Sequence, residues 1–352
     1  MVSTLWIFSV LYVATYAMQQ CPLFADSWTW FGLCALGVLV VIMLFERLQL
    51  IAPSFSPRTK YKNSAVLVVG ADQSVGWQLI TRCVTRDMLV FAGVQDTESP
   101  QADWIRRHLH RDVVLVRLDP RSEDDVRAAV RLVEDTIGEK ELVGIVYAGY
   151  AAPKLAETLD LEEVRRGIEM SALGAVRTAE AFTPLLKKYK GRFIMVADMA
   201  GQIVIPSLQS YCMSQAVTLQ FVKIIRNNLK KHGVSTHIIQ PFLYYYQKTQ
   251  EDYYYPYTTE DGKVVVESNV DGTDFTAFRI MMSIFDALMS KNPKEYFIPT
   301  YPELLLHTLI NFFPPCLYNR LADHLFMNLT KQKEIHDNRK DKSALLSAST
   351  VK

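Results

Sequence analysis

The sequence predicts an α/β fold, in which a doubly wound parallel sheet follows two N-terminal membrane helices. Short apolar runs rich in β-branched residues alternate with segments of helical period beyond residue 63, and the first run ends in a glycine-containing turn. Before residue 51, two long segments contain no charged side chain. Continuous apolar runs are typical of strands buried on both faces, and their alternation with helices predicts a parallel sheet.

Residues 1–50 are predicted to anchor the chain in a membrane. A spanning helix needs about 20 apolar residues, and residues 1–25 and 27–45 both lack charged side chains. Trp28 and Arg47 flank the second segment as interfacial anchors would. The first segment could instead be a cleaved signal peptide, although it has no basic N-terminal region. Basic residues follow the second segment, which predicts that the main domain faces the cytosol.

A linker and then the main domain follow the anchor. Residues 51–63 are predicted to be the linker, and residues 64–300 the α/β domain. Strands are predicted from apolar runs at 65–69, 88–94, 113–118, 143–148, 193–197 and 236–240. Helices are predicted from apolar positions at helical spacing at 122–137, 161–188 and 211–232.

Three C-terminal stretches depart from this alternation. Residues 242–263 contain seven tyrosines with little periodicity, which predicts an ordinary surface loop or a loop over a substrate site. Residues 301–330 are mostly apolar and predict a helical extension that is either buried or rests on a bilayer. Residues 331–352 are polar and are predicted to be disordered.

The charge balance and the cysteines argue against a nucleic-acid partner, a zinc site and a disulfide framework. The chain of 352 residues has 38 basic and 37 acidic side chains, so no positive excess favours a nucleic-acid partner. Its five cysteines show no CxxC pair or other paired spacing. This pattern argues against a zinc site and a disulfide framework, and it fits a reducing compartment.

The turn after the first predicted strand is a candidate dinucleotide site. Gly70 and Gly76 flank a turn that leads from the strand into a helix. Glycine here lets a pyrophosphate approach backbone N–H groups at the helix N-terminus, including those of Ser74 and Val75. A plain strand-to-helix turn is the alternative, and the strand–turn–helix context favours the nucleotide site.

Further candidate residues follow the fourth and fifth predicted strands. Ala148 and Gly149 end the fourth strand, at the carboxyl edge where ligands bind in such sheets. Asp198 follows the fifth strand, thirteen positions before Tyr211 at the start of a helix. A carboxylate near a tyrosine at this edge indicates either a site or the cap of a turn.

Four stretches resemble the short-chain dehydrogenase/reductase (SDR) superfamily, in particular its membrane-bound branch of hydroxysteroid, retinol and hydroxybutyrate dehydrogenases. They are LVFAGV at 89–94, FTPLLKK at 182–188, GRF at 191–193 and IIQP at 238–241. The resemblance implies a Rossmann-like SDR fold and a nicotinamide cofactor. It also implies a steroid, sterol, retinoid or similar lipid alcohol or ketone as substrate. The resemblance places the protein itself in the membrane of the endoplasmic reticulum. A homodimer, or a heterodimer with an SDR relative, would form through the helices that begin near 161 and 211.

The superfamily's glycine loop and asparagine motif are partly matched. Its TGxxxGxG pattern falls on 69–76, where Gly70 and Gly76 match and Ser74 replaces the middle glycine. Its Asn-Asn-Ala-Gly motif falls on 146–149, where both asparagines are absent. The resemblance still implies a nucleotide bound between these two loops.

Three other parts of the superfamily's pattern bear on the cofactor. The superfamily's adenine-contacting acid matches Asp119, and its Pro-Gly after the sixth strand falls on Pro241 and Phe242. Asp96 lies near the end of the second strand, where NAD-preferring members place an acid. The cofactor is therefore expected to be NAD(H) or NADP(H), with NAD(H) favoured.

Of the superfamily's four catalytic positions, only the tyrosine is matched, by Tyr211. The helix asparagine falls on Ser171, the serine on Asp198 and the lysine on Gln215. The family's lysine helps the tyrosine to give up its proton and binds the nicotinamide ribose. Gln215 can bind a ribose but carries no charge, and an ionised Asp198 would hold the tyrosine proton more tightly. Losing positioned acid–base catalysis costs about 10²–10⁴-fold in rate.

Three hypotheses about function follow. The chain is a membrane-anchored oxidoreductase with impaired or unusual catalysis, in which a protonated Asp198 could donate the hydrogen bond of the missing serine. Alternatively, it is an inactive relative that serves as a nucleotide-binding, lipid-binding or scaffold protein. Thirdly, it is a structural partner of an active dehydrogenase. The resemblance favours the first hypothesis, because most members of that superfamily are enzymes, and the catalytic departures favour the second.

Overall fold

The computed structural model describes residue 37 and residues 63–109, 113–148, 159–205, 208–242, 257–258, 264–265 and 274–312. The two predicted membrane segments, apart from residue 37, lie outside this part of the chain, as do most of the linker, most of the tyrosine-rich loop and everything after residue 312. Within the described ranges, no helix combines the length and the apolar composition needed to cross a bilayer. The anchor, the linker and the disordered tail therefore stay predictions.

One sheet dominates the described structure. The strands are β1 Ser64–Val69, β2 Leu89–Val94, β3 Val113–Arg117, β4 Glu141–Tyr147, β5 Arg192–Val196, β6 Ser235–Ile239, β7 Tyr257–Thr258, β8 Val264–Val265 and β9 Tyr296–Phe297. Seven of them pair in parallel in the order β3-β2-β1-β4-β5-β6-β9, and β7 and β8 form a separate antiparallel pair. The predicted doubly wound parallel sheet is confirmed, and all six predicted strands are present.

Helices cover the sheet on both sides. They are α1 Ser74–Val84, α2 Pro100–His108, α3 Glu123–Thr136, α4 Leu161–Ile168, α5 Gly174–Tyr189, α6 Gln209–Lys230, α7 Asp274–Met289 and α8 Tyr301–Phe312. A π-helical turn at Glu169–Leu173 separates α4 from α5, and a 3₁₀ turn spans Met199–Gln202. The helix predicted at 161–188 is therefore present, with a π-helical turn in its middle whose cause lies in the site.

The two sides of β1 show why its sequence is a continuous apolar run. Val66 and Val68 pack with residues of α1, α2 and α7 on one face. Ala65, Leu67 and Val69 pack with residues of α3, α5 and α6 on the other face. Successive strand side chains point to opposite faces, so a strand covered on both sides needs apolar residues throughout. Because all seven strands of this sheet run in parallel, their carboxyl ends meet at one edge of the sheet.

Candidate active site

The turn between β1 and α1 forms a cradle that only glycine can build. Gly70 adopts a φ angle of 81°, in the left-handed region that glycine tolerates without strain. A Cβ atom at Gly76 would lie 2.1 Å from the Gly70 carbonyl oxygen. Among the described residues, no side chain caps the start of α1. The N–H groups of its first turn, from Ser74 through Val75 to Gly76, are thus oriented to bind an anion such as a pyrophosphate.

Asp72 lies inside this turn, and sequence reasoning missed it. Its Oδ1 atom is buried and has no hydrogen-bond partner within the described part of the chain. Burial raises the pKa of the Asp72 carboxyl, and hydrogen bonds from the backbone N–H groups of Asp72 and Gln95 oppose that shift. Because Gln95 directly follows β2, Asp72 places a carboxyl between the cradle and the end of that strand.

The two acids predicted on the adenosine side follow adjacent strands. Asp96 comes after β2, is exposed, and accepts a hydrogen bond from the Glu98 N–H at 2.9 Å. Asp119 comes after β3 and forms an ion pair with Arg121, with 2.7 Å between Oδ2 and Nη2. The Arg121 hydrogen bonds hold the pKa of Asp119 below its ordinary value. Arg121 was not predicted from the sequence. It forms an ion pair with the carboxylate that the resemblance expects to contact adenine.

Tyr147 explains the π-helical turn. Its fully buried hydroxyl, at the end of β4, donates to the Met170 carbonyl at 2.5 Å. In the turn, the Gly174 N–H bonds to the Glu169 carbonyl five residues earlier, which leaves the Met170 carbonyl for Tyr147. Burial raises the pKa of Tyr147, so it stays a neutral donor. Ser171 follows Met170 and is buried, and no described residue bonds to its Oγ atom.

Asp198, Tyr211 and Gln215 form one hydrogen-bonded group. The Tyr211 Oη atom donates to Asp198 Oδ2 at 3.1 Å. Gln215 Oε1 accepts from the Asp198 backbone N–H at 2.9 Å. All three residues are buried, with at most 5% of each exposed. The structure thus brings together three of the four predicted catalytic positions, in a site that excludes most water.

The 3₁₀ turn after β5 positions Asp198. Its Oδ1 atom accepts from the Ala200 N–H at 2.8 Å, so one oxygen caps the turn while the other meets Tyr211. A Cβ atom at Gly201 would lie 2.5 Å from the backbone carbon of Gln215. Glycine is needed there because the turn and α6 touch through their backbones. Of the two roles that the sequence left open for Asp198, the structure shows the cap, and the same side chain also accepts the Tyr211 hydroxyl hydrogen bond.

Tyr211 belongs to an apolar cluster that we call the apolar wall. Its members come from the turn after β5, from α6, from the residue after Pro241 and from α8: Ala200, Ile203, Ile205, Leu208, Tyr211, Cys212, Phe242, Leu306 and Ile310. Burial raises the pKa of the Cys212 thiol to about 11, so it is neutral. The first part of the predicted C-terminal extension thus contributes one face to the site, while Leu305 on the same helix is exposed.

The remaining predicted residues are distributed as follows. Ala148 is buried at the end of β4, and its N–H donates to the Val69 carbonyl at 3.0 Å. The Pro241 carbonyl, after β6, accepts from the Met199 N–H at 2.9 Å. Gly149 lies outside the described residues, as do six of the seven clustered tyrosines. Across the described ranges, no three His, Cys, Asp or Glu side chains converge as metal ligands would.

Known proteins share this fold and parts of this sequence. Mouse estradiol 17-beta-dehydrogenase 2 is 25% identical over 316 residues, which cover 82% of this chain and 83% of the relative. Rat mitochondrial D-beta-hydroxybutyrate dehydrogenase is 27% identical over 210 residues, covering 53% and 59% of the two chains. A solved short chain dehydrogenase from Burkholderia cenocepacia J2315, in complex with NADP, superposes with a TM-score of 0.56 at 20% identity, covering 75% of this chain and 99% of that one.

The model of the short chain dehydrogenase family matches residues 64–251. That stretch contains the cradle, Asp119, Tyr147, and the Asp198–Tyr211 hydrogen bond. It covers more than half of the chain, and the parallel sheet agrees with it. This protein therefore belongs to the short-chain dehydrogenase family.

Proposed function

We propose that this protein is a nicotinamide-dependent oxidoreductase of lipid-like alcohols and ketones, in which Tyr211 and Asp198 together handle the proton. The hydrogen bond of 3.1 Å between Tyr211 Oη and Asp198 Oδ2 carries this proposal. It joins a phenol and a carboxylate inside a buried site at the ligand-binding edge of the sheet. General acid–base catalysis requires such a proton path within hydrogen-bond reach.

The chain's residues fit a nicotinamide dinucleotide. The cradle at Gly70 and Gly76 would hold the pyrophosphate, and Gln215 would approach the nicotinamide ribose. Asp72 and Asp96 place carboxyl groups near the end of β2, where they disfavour a 2′-phosphate and so favour NAD(H) over NADP(H). When bound, the nicotinamide would supply the hydride acceptor for oxidation and the hydride donor for reduction.

The proton moves through two side chains. During oxidation, the alcohol hydroxyl gives its proton to Tyr211 Oη while Tyr211 passes its own proton to Asp198 Oδ2. During reduction, the same two transfers run in reverse and protonate the carbonyl oxygen. Because Asp198 takes up the proton, Tyr211 is neutral before and after the transfer and does not need the charge of a neighbouring lysine to stabilise a phenolate. The carboxylate that replaces the family's serine thus becomes the proton acceptor of the site.

The apolar wall and the membrane segments favour a lipid-like substrate. Ile203, Leu306 and Ile310 belong to the same buried cluster as Tyr211, and such aliphatic side chains bind an apolar ring or chain better than a small polar acid. The two uncharged N-terminal segments would hold the domain at a membrane, which we propose to be that of the endoplasmic reticulum with the domain in the cytosol. The names of the relatives, which include an estradiol and a hydroxybutyrate dehydrogenase, supply two probe alcohols.

Turnover by full-length protein in detergent, with NAD⁺ and either estradiol or D-beta-hydroxybutyrate, tests the proposal. We expect estradiol to be preferred. Tyr211→Phe and Asp198→Asn should each reduce kcat by about 10²–10⁴-fold and leave the nucleotide Kd unchanged. Tyr189→Phe, at a half-buried position, and Asp124→Asn, at an exposed one, are matched controls outside the site and should behave as wild type. Unchanged kcat in Asp198→Asn would refute the role of Asp198.

A second candidate function, a nucleotide-binding relative without turnover, is favoured by Gln215. Its Oε1 atom is engaged with the Asp198 N–H, and its amide carries no charge. This hypothesis predicts that the wild type binds NADH but does not turn over either alcohol. The double variant Asp198→Ser/Gln215→Lys restores the family's residues and should then gain activity. Our proposal predicts turnover in the wild type, so the two candidates differ in a single assay.

A further inference from the structure

We infer that Glu303 is a positioning residue that clamps α8 and the residue after β6 against the active site. The inference rests on the proposed function, because it assigns Glu303 to the placement of the substrate beside Tyr211. Glu303 itself touches neither Tyr211 nor Asp198 through any contact that the structure shows among the described residues. Its effect passes through the backbone and through the apolar wall.

One oxygen of Glu303 has a local role. Thr300 precedes α8, and its carbonyl accepts from the Leu304 N–H at 3.0 Å. Glu303 Oε2 reaches back and accepts from the Thr300 N–H at 2.8 Å. This is the reciprocal half of a capping box, in which a glutamate at the third helical position satisfies the N-cap N–H group. The local role uses only one of the two oxygens.

The other oxygen of Glu303 makes a long-range contact. Glu303 Oε1 accepts from the Phe242 N–H at 3.1 Å, across 61 positions of the chain. Only 6% of Glu303 is exposed. Burial raises the pKa of its carboxyl, while the Phe242 and Thr300 donors and Arg279 of α7 oppose the shift. A cap needs no burial, and a buried carboxylate costs free energy unless donors satisfy it. The second contact thus accounts for the buried position.

A short covalent and hydrogen-bonded path connects this clamp to the catalytic pair. Phe242 follows Pro241, whose carbonyl accepts from the Met199 N–H at 2.9 Å. Met199 directly follows Asp198, which binds Tyr211. Glu303 therefore fixes Phe242 at the point where the turn that bears Asp198 is hydrogen-bonded to the end of β6.

The clamp also fixes two parts of the apolar wall. Phe242 packs against the cluster that contains Leu306 and Ile310 of α8 together with Tyr211. Glu303 binds the backbone of Phe242 and lies at the start of α8, so it sets the distance between these two parts. The nucleotide cradle lies between β1 and α1 and receives no residue from α8. Loss of the clamp should therefore weaken substrate binding and leave nucleotide binding unchanged.

The test compares Glu303→Gln with Glu295→Gln in the full chain. A glutamine has one acceptor oxygen and cannot satisfy both N–H groups, whereas Glu295 forms an exposed ion pair with Arg226 and serves as the matched control. Hydrogen–deuterium exchange reports the Phe242 amide directly. We expect exchange there to rise about 10-fold or more in Glu303→Gln only, since a hydrogen bond to a charged group is lost. Exchange equal to that of wild type would overturn the clamp.

Kinetic constants provide a second test, because a purely structural role of Glu303 would not change the KM for estradiol selectively. With estradiol and NAD⁺, Glu303→Gln should raise the KM for estradiol by about 10-fold and leave the NADH Kd within error of wild type. A rise in both constants, or in neither, contradicts a positioning role. If Glu303→Gln does not fold, Glu303→Asp keeps the charge but is too short to reach both donors, and the same outcomes apply. Exchange at Phe242 is measurable without turnover, so failure of the clamp and failure of the proposed activity are distinguishable.

Discussion

At the scale of single residues, Asp198 combines a structural role with the role in proton transfer that we propose for it. One oxygen caps the turn after β5 and the other accepts the Tyr211 hydroxyl. The sequence predicted that Asp198 and Tyr211 lie close together, because both fall at the carboxyl edge of the sheet. It left open whether Asp198 caps a turn or belongs to a site, since one side chain with two oxygens satisfies both patterns.

The glycine cradle gives a prediction at the same scale. Gly76→Ala should abolish micromolar binding of NADH, because the added Cβ atom would lie 2.1 Å from the Gly70 carbonyl oxygen and force the loop apart. Fluorescence titration with NADH measures the Kd. Gly138→Ala is the control, since nothing lies within 4 Å of its added Cβ atom. It places alanine at a φ angle of 58° and should lower stability without changing the Kd. Equal NADH affinity in both variants would contradict the cradle.

At the scale of elements, the strands were predictable and the π-helical turn was not. Apolar runs locate the strands because both faces of the sheet are covered. The extra residue in the turn at Glu169–Leu173 leaves no mark in the apolar pattern of the flanking helices. It depends on Tyr147, a residue of another element that donates to the carbonyl that the turn leaves without an intrahelical partner. Periodicity along one segment cannot reveal a partner from a distant strand.

The Tyr147 contact is testable through stability. Tyr147→Phe should lower the free energy of unfolding by about 1–3 kcal/mol, because the buried Met170 carbonyl would lose its donor. Chemical denaturation of wild type and variant measures the difference. Tyr189→Phe, at the half-buried last residue of α5, keeps the ring and should change the free energy by less than about 0.5 kcal/mol. A loss of similar size in both variants would show that the hydroxyl of Tyr147 contributes nothing specific.

The junction of β6 and β9 gives a prediction about pH. His237 is buried and neutral: Nδ1 donates to the Lys294 carbonyl at 2.6 Å, and Nε2 accepts from the Ser235 hydroxyl at 2.8 Å. Burial lowers the pKa of His237 from 6.5 to about 4. Between these values the unfolded chain binds a proton that the folded chain does not, so stability should fall as pH decreases from 6.5 to 4.

The size of this effect is at most on the order of 3 kcal/mol, from the cited shift. Unfolding free energies at several pH values should show the loss in wild type. The variant His237→Gln should be less stable at neutral pH and should show a smaller decrease across the same window. A decrease of equal size in the variant would assign the pH dependence to other groups.

At the scale of the whole molecule, the predicted topology is present and the surface suggests a partner. Alternating strands and helices predicted the parallel sheet, and the structure adds that α8 closes the apolar wall. Sequence periodicity could not show this, because α8 and Tyr211 belong to one cluster although they are remote in the chain. Met213, Val217 and Ile224 are exposed along one side of α6. We propose that this side pairs with a second copy of the chain.

The pairing is testable by sedimentation. Ile224→Glu should convert a dimer into monomers, since it places a charge in an apolar contact. Leu132→Glu, on the exposed side of α3, is the matched control and should leave the dimer intact. A monomeric wild type, or a dimer that survives Ile224→Glu, would contradict pairing through α6.

The central claim is that Asp198 takes the proton from Tyr211, and the pH dependence of single-turnover oxidation tests it most directly. Rates are measured with estradiol and saturating NAD⁺ in wild type and in Asp198→Asn. The relay predicts that the wild-type rate falls with one titration as pH decreases, because a protonated Asp198 cannot accept a proton. In Asp198→Asn, the rate should be lower throughout and that titration should be absent. The same titration in both proteins would contradict the relay.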